Sequence, residues 1–298
     1  MTPNEYLNRI LEQQTFKDDD QELKDLRQRR DDIRERLLVE FSSSAPSIRW
    51  AGSMAKKTMI REAYDGDMTC YFEHDETSAG STLKELYEAT EKALRVDFQV
   101  ERKTSALRVR AQDDWTTDLH IDVVPGRFTT DDRDDVFLYQ AGGEKERLKT
   151  NLETHIEHIR DSGVREAVRL MKLWRTRNGI DSAKTFVLEL LVVKLLQDHV
   201  DEELPSQLEH VWTEFRDRAS ELRVEDPANS NNDLKPLLDA CRSSLQVVAE
   251  DTLWQIENQG WEAVFGEVDD VDDQDKRESL VAAAAAVTSP TRPWLEGS

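Results

Sequence analysis

The chain has 298 residues, and 62 acidic against 40 basic side chains give it a formal charge of −22. That balance weighs against a long nucleic acid as main partner, because gripping a duplex takes a broad basic surface; it suits small anionic substrates whose charge metal ions neutralise locally, and equally a salt-rich habitat or simple solubility. No run of about 18 apolar residues predicts a membrane span, the N-terminus lacks a secretion signal, and Cys70 and Cys241 make no disulfide framework, so a cytoplasmic protein with Cys70 as a buried free thiol is expected.

Residues 4 to 41 read as helix, with a break near Lys17-Asp18-Asp19-Asp20, because Leu23, Leu26, Ile33, Leu37 and Leu38 recur near helical spacing. Pro46 and the serines at 42 to 44 end it. A short strand over 48 to 51 leads into Gly52-Ser53, and residues 67 to 73 read as a second strand. Ser81 or Thr82 caps a helix running to about Leu94. Extended runs follow over 98 to 102, 106 to 111 and 117 to 124, with Leu107, Val109 and Ala111 alternating against Arg108 and Arg110. From Asn151 the pattern turns helical, near 151–161, 164–177, 184–199, 204–221 and 234–258. Strands early and helices late predict an α+β fold. The expected division is 1–150, an N-terminal helix and an α+β part, and 151–298, an all-helical part. Asp269 to Asp275 reads as a solvated linker and Ala282–Ala286 as a short helix.

Three elements carry chemistry. Gly52-Ser53, between a strand and Met54-Ala55-Lys56-Lys57-Thr58, lets a phosphate approach the backbone and offers it a hydroxyl. In Asp65-Gly66-Asp67 the two carboxylates stand two residues apart on a strand, so they project from one face. Such crowding is relieved by cations, and oxygen donors of this kind suit magnesium. In Asp118-Leu119-His120-Ile121-Asp122-Val123-Val124, Asp122 stands in an apolar run where a bare carboxylate is costly. His120 reads as an ordinary strand histidine. A lone Asp-x-Asp is by default a solvated turn, and a lone Gly-Ser is common; their order along the chain is what gives them weight.

Strand–Gly-Ser, an Asp-x-Asp strand, then an aspartate on a later strand resembles the DNA polymerase β-like nucleotidyltransferases. Val168-Arg169-Leu170-Met171-Lys172-Leu173-Trp174, then Lys184-Thr185-Phe186-Val187-Leu188-Glu189-Leu190-Leu191, is similar to the helical domain shared by oligoadenylate synthases, archaeal CCA-adding enzymes and the bacterial cyclic-dinucleotide synthases related to cyclic GMP-AMP synthase. Asp226-Pro227-Ala228-Asn229-Ser230-Asn231-Asn232 is similar to an Asp-Pro-to-Asn loop of that group. The likeness covers most of residues 48 to 235. One departure is Lys57, where many relatives carry glycine.

The resemblance implies a polymerase β-like sheet with flanking helices followed by a helical bundle. It implies that Asp65, Asp67 and Asp122 are catalytic and bind two Mg2+ ions, with Mn2+ as a substitute. Gly52, Ser53, Lys172, Lys184 and Thr185 would bind the nucleotide. Arg165, Arg169 and Lys172 share a helix face that would meet a triphosphate or else pair with Glu166 and its neighbours. Lys184 and Thr185 open a helix, where the dipole favours phosphate. Trp174, Phe186 and Leu188–Leu191 read as core, while Arg108 and Arg110 read equally as nucleotide contacts or an exposed sheet face. The implied function is joining nucleoside triphosphates into a cyclic di- or oligonucleotide messenger for an effector protein in antiphage signalling of the CBASS type. The alternatives are an RNA-terminal nucleotidyltransferase and a catalytically silent binding module.

Overall fold

Thr2 starts the first helix, α1 (Pro3–Gln13), with a capping box: its hydroxyl accepts from the Glu5 amide and the Glu5 carboxylate accepts from the Thr2 amide. The computed structural model of the protein describes residues 1–112, 119–142 and 145–268. Past a break between Gln14 and Asp20, α2 spans Gln21–Glu40. Then come β1 (Ser47–Trp50), the short α3 (Gly52–Lys56), β2 (Gly66–Phe72) and α4 (Leu83–Leu94), the last capped by Thr82 with Glu85. Strands β3 (Phe98–Arg102), β4 (Leu107–Ala111), β5 (Ile121–Phe128), β6 (Val136–Tyr139) and β7 (Arg147–Thr150) complete the sheet. The rest is helical: α5 (Leu152–Arg160), α6 (Arg165–Arg177), α7 (Thr185–Leu196), α8 (Leu204–Arg218), α9 (Lys235–Gln259) and α10 (Glu262–Phe265). The α+β expectation holds. The expected linker at Asp269–Asp275, the helix at Ala282–Ala286, and Thr117 and Asp118 lie outside the described residues.

The sheet runs β1-β2-β5-β4-β3, with β6 on β5 and β7 on β6. β2 and β5 are parallel neighbours, and the other pairings are antiparallel. Alternation divides the faces. Met68, Cys70, Phe72, Leu107, Val109, Ile121 and Val123 pack with Leu26, Ile33 and Leu37 of α2 and Leu86, Tyr87 and Leu94 of α4. Asp67, Asp122 and Arg108 therefore belong to the opposite face. β6 and β7, absent from the sequence reading, extend the sheet beyond β5. Arg147–Thr150 exposes every second residue and holds no strongly β-prone pattern, so its pairing with β6 and not its own composition makes it a strand.

A second core lies among α6, α7, α8 and α9, around Trp174, Trp212 and Phe215. The Trp174 indole donates to Thr252 Oγ1 at 2.8 Å, so this residue is core as expected. Tyr6, Leu7, Ile10 and Leu11 of α1 belong to this core as well, so the start of the chain packs with its helical second half. Cys70 and Cys241 are buried and free. Among the described residues no helix is long and apolar enough to cross a membrane.

Candidate active site

Between the open sheet face and the helical core lies a cleft of about 580 Å³, lined in part by Gly52, Ser53, Tyr64, Asp65, Asp67, Lys172, Thr185 and Phe186. Its floor is built by strand register. Asp67 on β2 and Asp122 on β5 are direct partners in the parallel pair, so their side chains rise from the same face of strands about 4.8 Å apart. Asp65 stands just ahead of β2 and adds a third carboxylate. Desolvation, and then the charges of Asp65 and Asp122, push the Asp67 carboxyl up to about 7, with Lys56 and Lys172 pulling it down.

The Gly52-Ser53 turn closes over this floor. The Ala51 amide donates to the Asp67 carbonyl at 2.8 Å, seating the turn on β2. Gly52 has φ +52°, and a Cβ built there would lie 1.7 Å from Asp67 Oδ2. Glycine is thus required twice at this position, for its backbone and for the approach of the carboxylate. Ser53 Oγ is buried without a hydrogen-bond partner among the described residues, although the residue lines the cleft. An orphaned buried hydroxyl beside carboxylates and lysines fits a phosphate oxygen. The Thr58 amide donates to the Ser53 carbonyl at 2.9 Å, closing the loop. Lys57, where glycine is usual in the resembling group, adopts the left-handed conformation that glycine favours, φ 57° and ψ 36°. The turn keeps its geometry at the expense of some strain.

The helices supply the roof. Lys172 of α6 is 6% exposed, and its ammonium donates to the Thr58 carbonyl at 2.9 Å. Arg169 does not join it: its guanidinium reaches α1, donating to Thr15 Oγ1 at 2.7 Å and to the Leu11 carbonyl. Arg165 pairs with Glu166 at 3.4 Å. The expected basic stripe therefore contributes only Lys172, while Arg175 and Thr176 line the cleft unanticipated. Thr185 lines it and Lys184 does not. Lys184 is the cap residue of α7 with extended backbone, so its direction differs from that of the first helical residue.

Phe186, expected in the core, instead lines the cleft, with its ring edge-on to His155 at 5.1 Å. Behind it stands Asp226 of the Asp-Pro loop, 3.5 Å from His155 Nε2. Asp226 accepts from the Ala228 amide and from Asn232, and Asn229 donates to the Lys149 carbonyl of β7. Burial holds His155 below its ordinary pKa, with Asp226 acting the other way. His120 is buried and also lines the cleft.

Glu189 escapes the sequence reading of the site, and Arg108, read as a nucleotide contact or an exposed sheet residue, takes a carboxylate partner instead. Glu189, a lone acid in the apolar α7, takes hydrogen bonds from Lys56 and Thr58. Its signal was a charge among Val187, Leu188, Leu190 and Leu191. Arg108, opposite Asp122 on β4, binds that carboxylate with two hydrogen bonds at 2.9 and 3.0 Å, and Arg110 pairs with Glu101 at 3.3 Å. Arg108 and Asp67 flank Asp122 from opposite sides, on β4 and β2. Among the described residues no three His, Cys, Asp or Glu side chains are gathered closely enough to hold a metal ion as they stand. Both Asp122 oxygens are engaged by the Arg108 fork on β4. The donor set still fits a hard divalent cation: carboxylates crowd one face, and Asp67 is disfavoured as a bare anion.

No protein-family model and no curated protein sequence matches the chain. Solved structures do. Vibrio cholerae DncV cyclic AMP-GMP synthase, with the linear intermediate 5′ pppA(3′,5′)pG, superposes with a TM-score of 0.69 at 18% identity, covering 90% of this chain and 96% of that one. Escherichia coli CdnC, in complex with HORMA-deltaN, gives 0.64 at 21% identity over 90% and 98%. Elizabethkingia meningoseptica CdnE cyclic dinucleotide synthase, with GTP and Apcpp, gives 0.62 at 17% identity over 87% and 99%. The protein therefore shares the fold of these bacterial proteins.

Proposed function

We propose that the protein is a magnesium-dependent nucleotidyltransferase that joins nucleoside triphosphates into a cyclic di- or oligonucleotide messenger, releasing pyrophosphate, and that it serves antiphage signalling through an effector that reads the product. The observation that carries this reading is the register of Asp67 with Asp122 on adjacent parallel strands, beside a cleft lined by Ser53, Asp65, Asp67 and Lys172. DncV with a linear dinucleotide and CdnE with GTP and Apcpp share the fold, which supports nucleoside triphosphates as the substrate class.

Asp65, Asp67 and Asp122 would hold two divalent cations, which supply charge neutralisation at the reacting phosphorus and at the attacking and leaving oxygens. The chain does the positioning. Ser53 Oγ donates to a β- or γ-phosphate oxygen, and the Lys172 ammonium meets the same end of the triphosphate. Gly52, lacking a Cβ, leaves Asp67 room to face the α-phosphate. Asp122 stands beside the attacking ribose hydroxyl and accepts its proton. The ribose oxygen then bonds to the α-phosphorus as the bond to the pyrophosphate oxygen breaks. Phe186, backed by His155 and Asp226, offers an apolar wall to a base.

Incubating the protein with Mg2+ and labelled triphosphates, followed by mass spectrometry of phosphatase-resistant products, tests this. A small cyclic product supports it. Labelling only when tRNA is added would replace it with terminal transfer, and failure to release pyrophosphate with any triphosphate, alone or with phage lysate, would contradict it.

A further inference from the structure

We infer that Glu189 is a positioning residue for the triphosphate: from α7 it holds Lys56 and Lys172 together at one end of the cleft. This rests on the proposed triphosphate reading of that cleft. Glu189 is 1% exposed on a helix that is otherwise almost wholly apolar. A carboxylate there is costly unless it is paired and hydrogen-bonded. Lys56 Nζ donates to Oε2, Thr58 Oγ1 donates to Oε1 at 3.0 Å, and Lys172 Nζ lies 3.9 Å from Oε1. Thr58 links the set again through its carbonyl, which accepts from Lys172. Lys56 and Thr58 follow β1 in the sheet part, and Lys172 and Glu189 come from the helical core. Lys56, Lys172 and Glu189 all line the cleft.

Two ammonium groups that share one buried carboxylate repel each other, and the repulsion is least offset when that anion is lost. Lys172 is the more enclosed, 7% against 12% side-chain exposure for Lys56. The charged groups facing it are Glu189 on α7, Lys56 on α3, and Asp65 and Asp67 at β2. Burial lowers its pKa most, and Glu189 is the strongest of the charges that raise it again. Remove the Glu189 charge and the Lys172 pKa falls further, so binding of a triphosphate becomes coupled to proton uptake. Glu189 itself is held ionised: desolvation opposes this, and Lys56 and Lys172 more than offset it.

The test is calorimetric titration of the full chain with inorganic tripolyphosphate at about pH 7.5 and about pH 9, in buffers of different ionisation enthalpy. Wild type is expected to change affinity less than about threefold across the range, and Glu189→Gln to lose about tenfold relative to it, with about one proton taken up on binding. Glu189→Asp keeps the charge and is expected to keep the flat profile, at weaker affinity. A space-filling role reverses that order: Gln, of the same shape, would match wild type at both pH values and Asp would be the weaker, which overturns the inference. Should Glu189→Gln not fold, the triple variant Glu189→Gln with Lys56→Met and Lys172→Met is expected to restore folding, because no uncompensated ammonium remains; failure to restore it overturns the inference as well. If wild type itself does not bind tripolyphosphate, the triphosphate reading falls and this inference with it; a wild type that binds beside a Glu189→Gln of identical profile sinks the role of Glu189 alone.

Discussion

Arg108 and Asp122 are cross-strand partners on β4 and β5, joined by Nε to Oδ1 at 2.9 Å and Nη2 to Oδ2 at 3.0 Å. The two parallel bonds make a fork that takes both oxygens of the carboxylate on which the proposed chemistry turns. On the proposed reading, binding a divalent cation at Asp122 requires release of that fork. Arg108→Gln is expected to bind Mn2+ about tenfold more tightly than wild type, since a charge-assisted pair of this kind is worth about 1–2 kcal/mol. Calorimetric titration with Mn2+ measures this, and an unchanged constant would show that the fork does not compete.

The charges of Asp65 and Asp122 both act against ionisation of Asp67. Replacing Asp65 and Asp67 with alanine is expected to abolish turnover, by at least about a thousandfold, because positioning and charge neutralisation are the whole of the catalysis. The melting temperature of the metal-free variant should match or exceed that of wild type, because repulsion is relieved. Pyrophosphate release beside thermal denaturation checks both halves. A large loss of stability would give the pair a structural role.

Gly52→Ala places a methyl group inside the Asp67 carboxylate, 1.7 Å from Oδ2, at a backbone φ of +52°. The left-handed conformation costs an L-residue about 1 kcal/mol by itself. Asp67 must move, so the expected result is a modest fall in melting temperature with a much larger loss of divalent-cation affinity. Mn2+ titration against the melting curve separates the two; equal losses would mean that the collision is relieved by general loosening.

The carboxylates and the Gly52-Ser53 turn are legible in the chain because strand alternation and glycine geometry are local rules. Asp67 and Asp122 fall on one face from period alone, and the parallel pairing of β2 with β5 adds the register. Other features depend on what packs from afar. Helical spacing puts Arg169 on the face of Lys172, yet α1 returns to that face from the other end of the chain and claims the guanidinium. Phe186 is indistinguishable from its core neighbours until α7 is laid against the cleft. Glu189 is a visible anomaly in an apolar helix, but its partners Lys56 and Thr58 lie more than a hundred residues upstream. β6 and β7 owe their strand state to the free length of β5 beyond β4.

Away from the cleft, Glu91 on α4 accepts from Arg102 at 2.8 Å and from Arg95 at 2.9 Å, and is 6% exposed. The Arg102 hydrogen bond chiefly, with Arg95 adding to it against a desolvation cost, holds its carboxyl below the ordinary 4.5. A depressed acid stabilises the fold above its unfolded pKa, and that stability is lost as pH falls through the folded value. Glu91→Gln is expected to lose about 1 kcal/mol at neutral pH, discounted because both arginines are half exposed. The difference from wild type should shrink on acidification below 4.5 and vanish in strong acid. Urea denaturation across pH measures it; a constant difference would assign the effect to packing.

Counting Mn2+ bound beside a non-hydrolysable triphosphate, by electron paramagnetic resonance on wild type and on Asp65→Ala with Asp67→Ala, addresses the convergence of three acidic side chains most directly. About two ions per chain are expected in wild type and none held tightly in the variant. The same count in both proteins would contradict a metal site built on Asp65, Asp67 and Asp122.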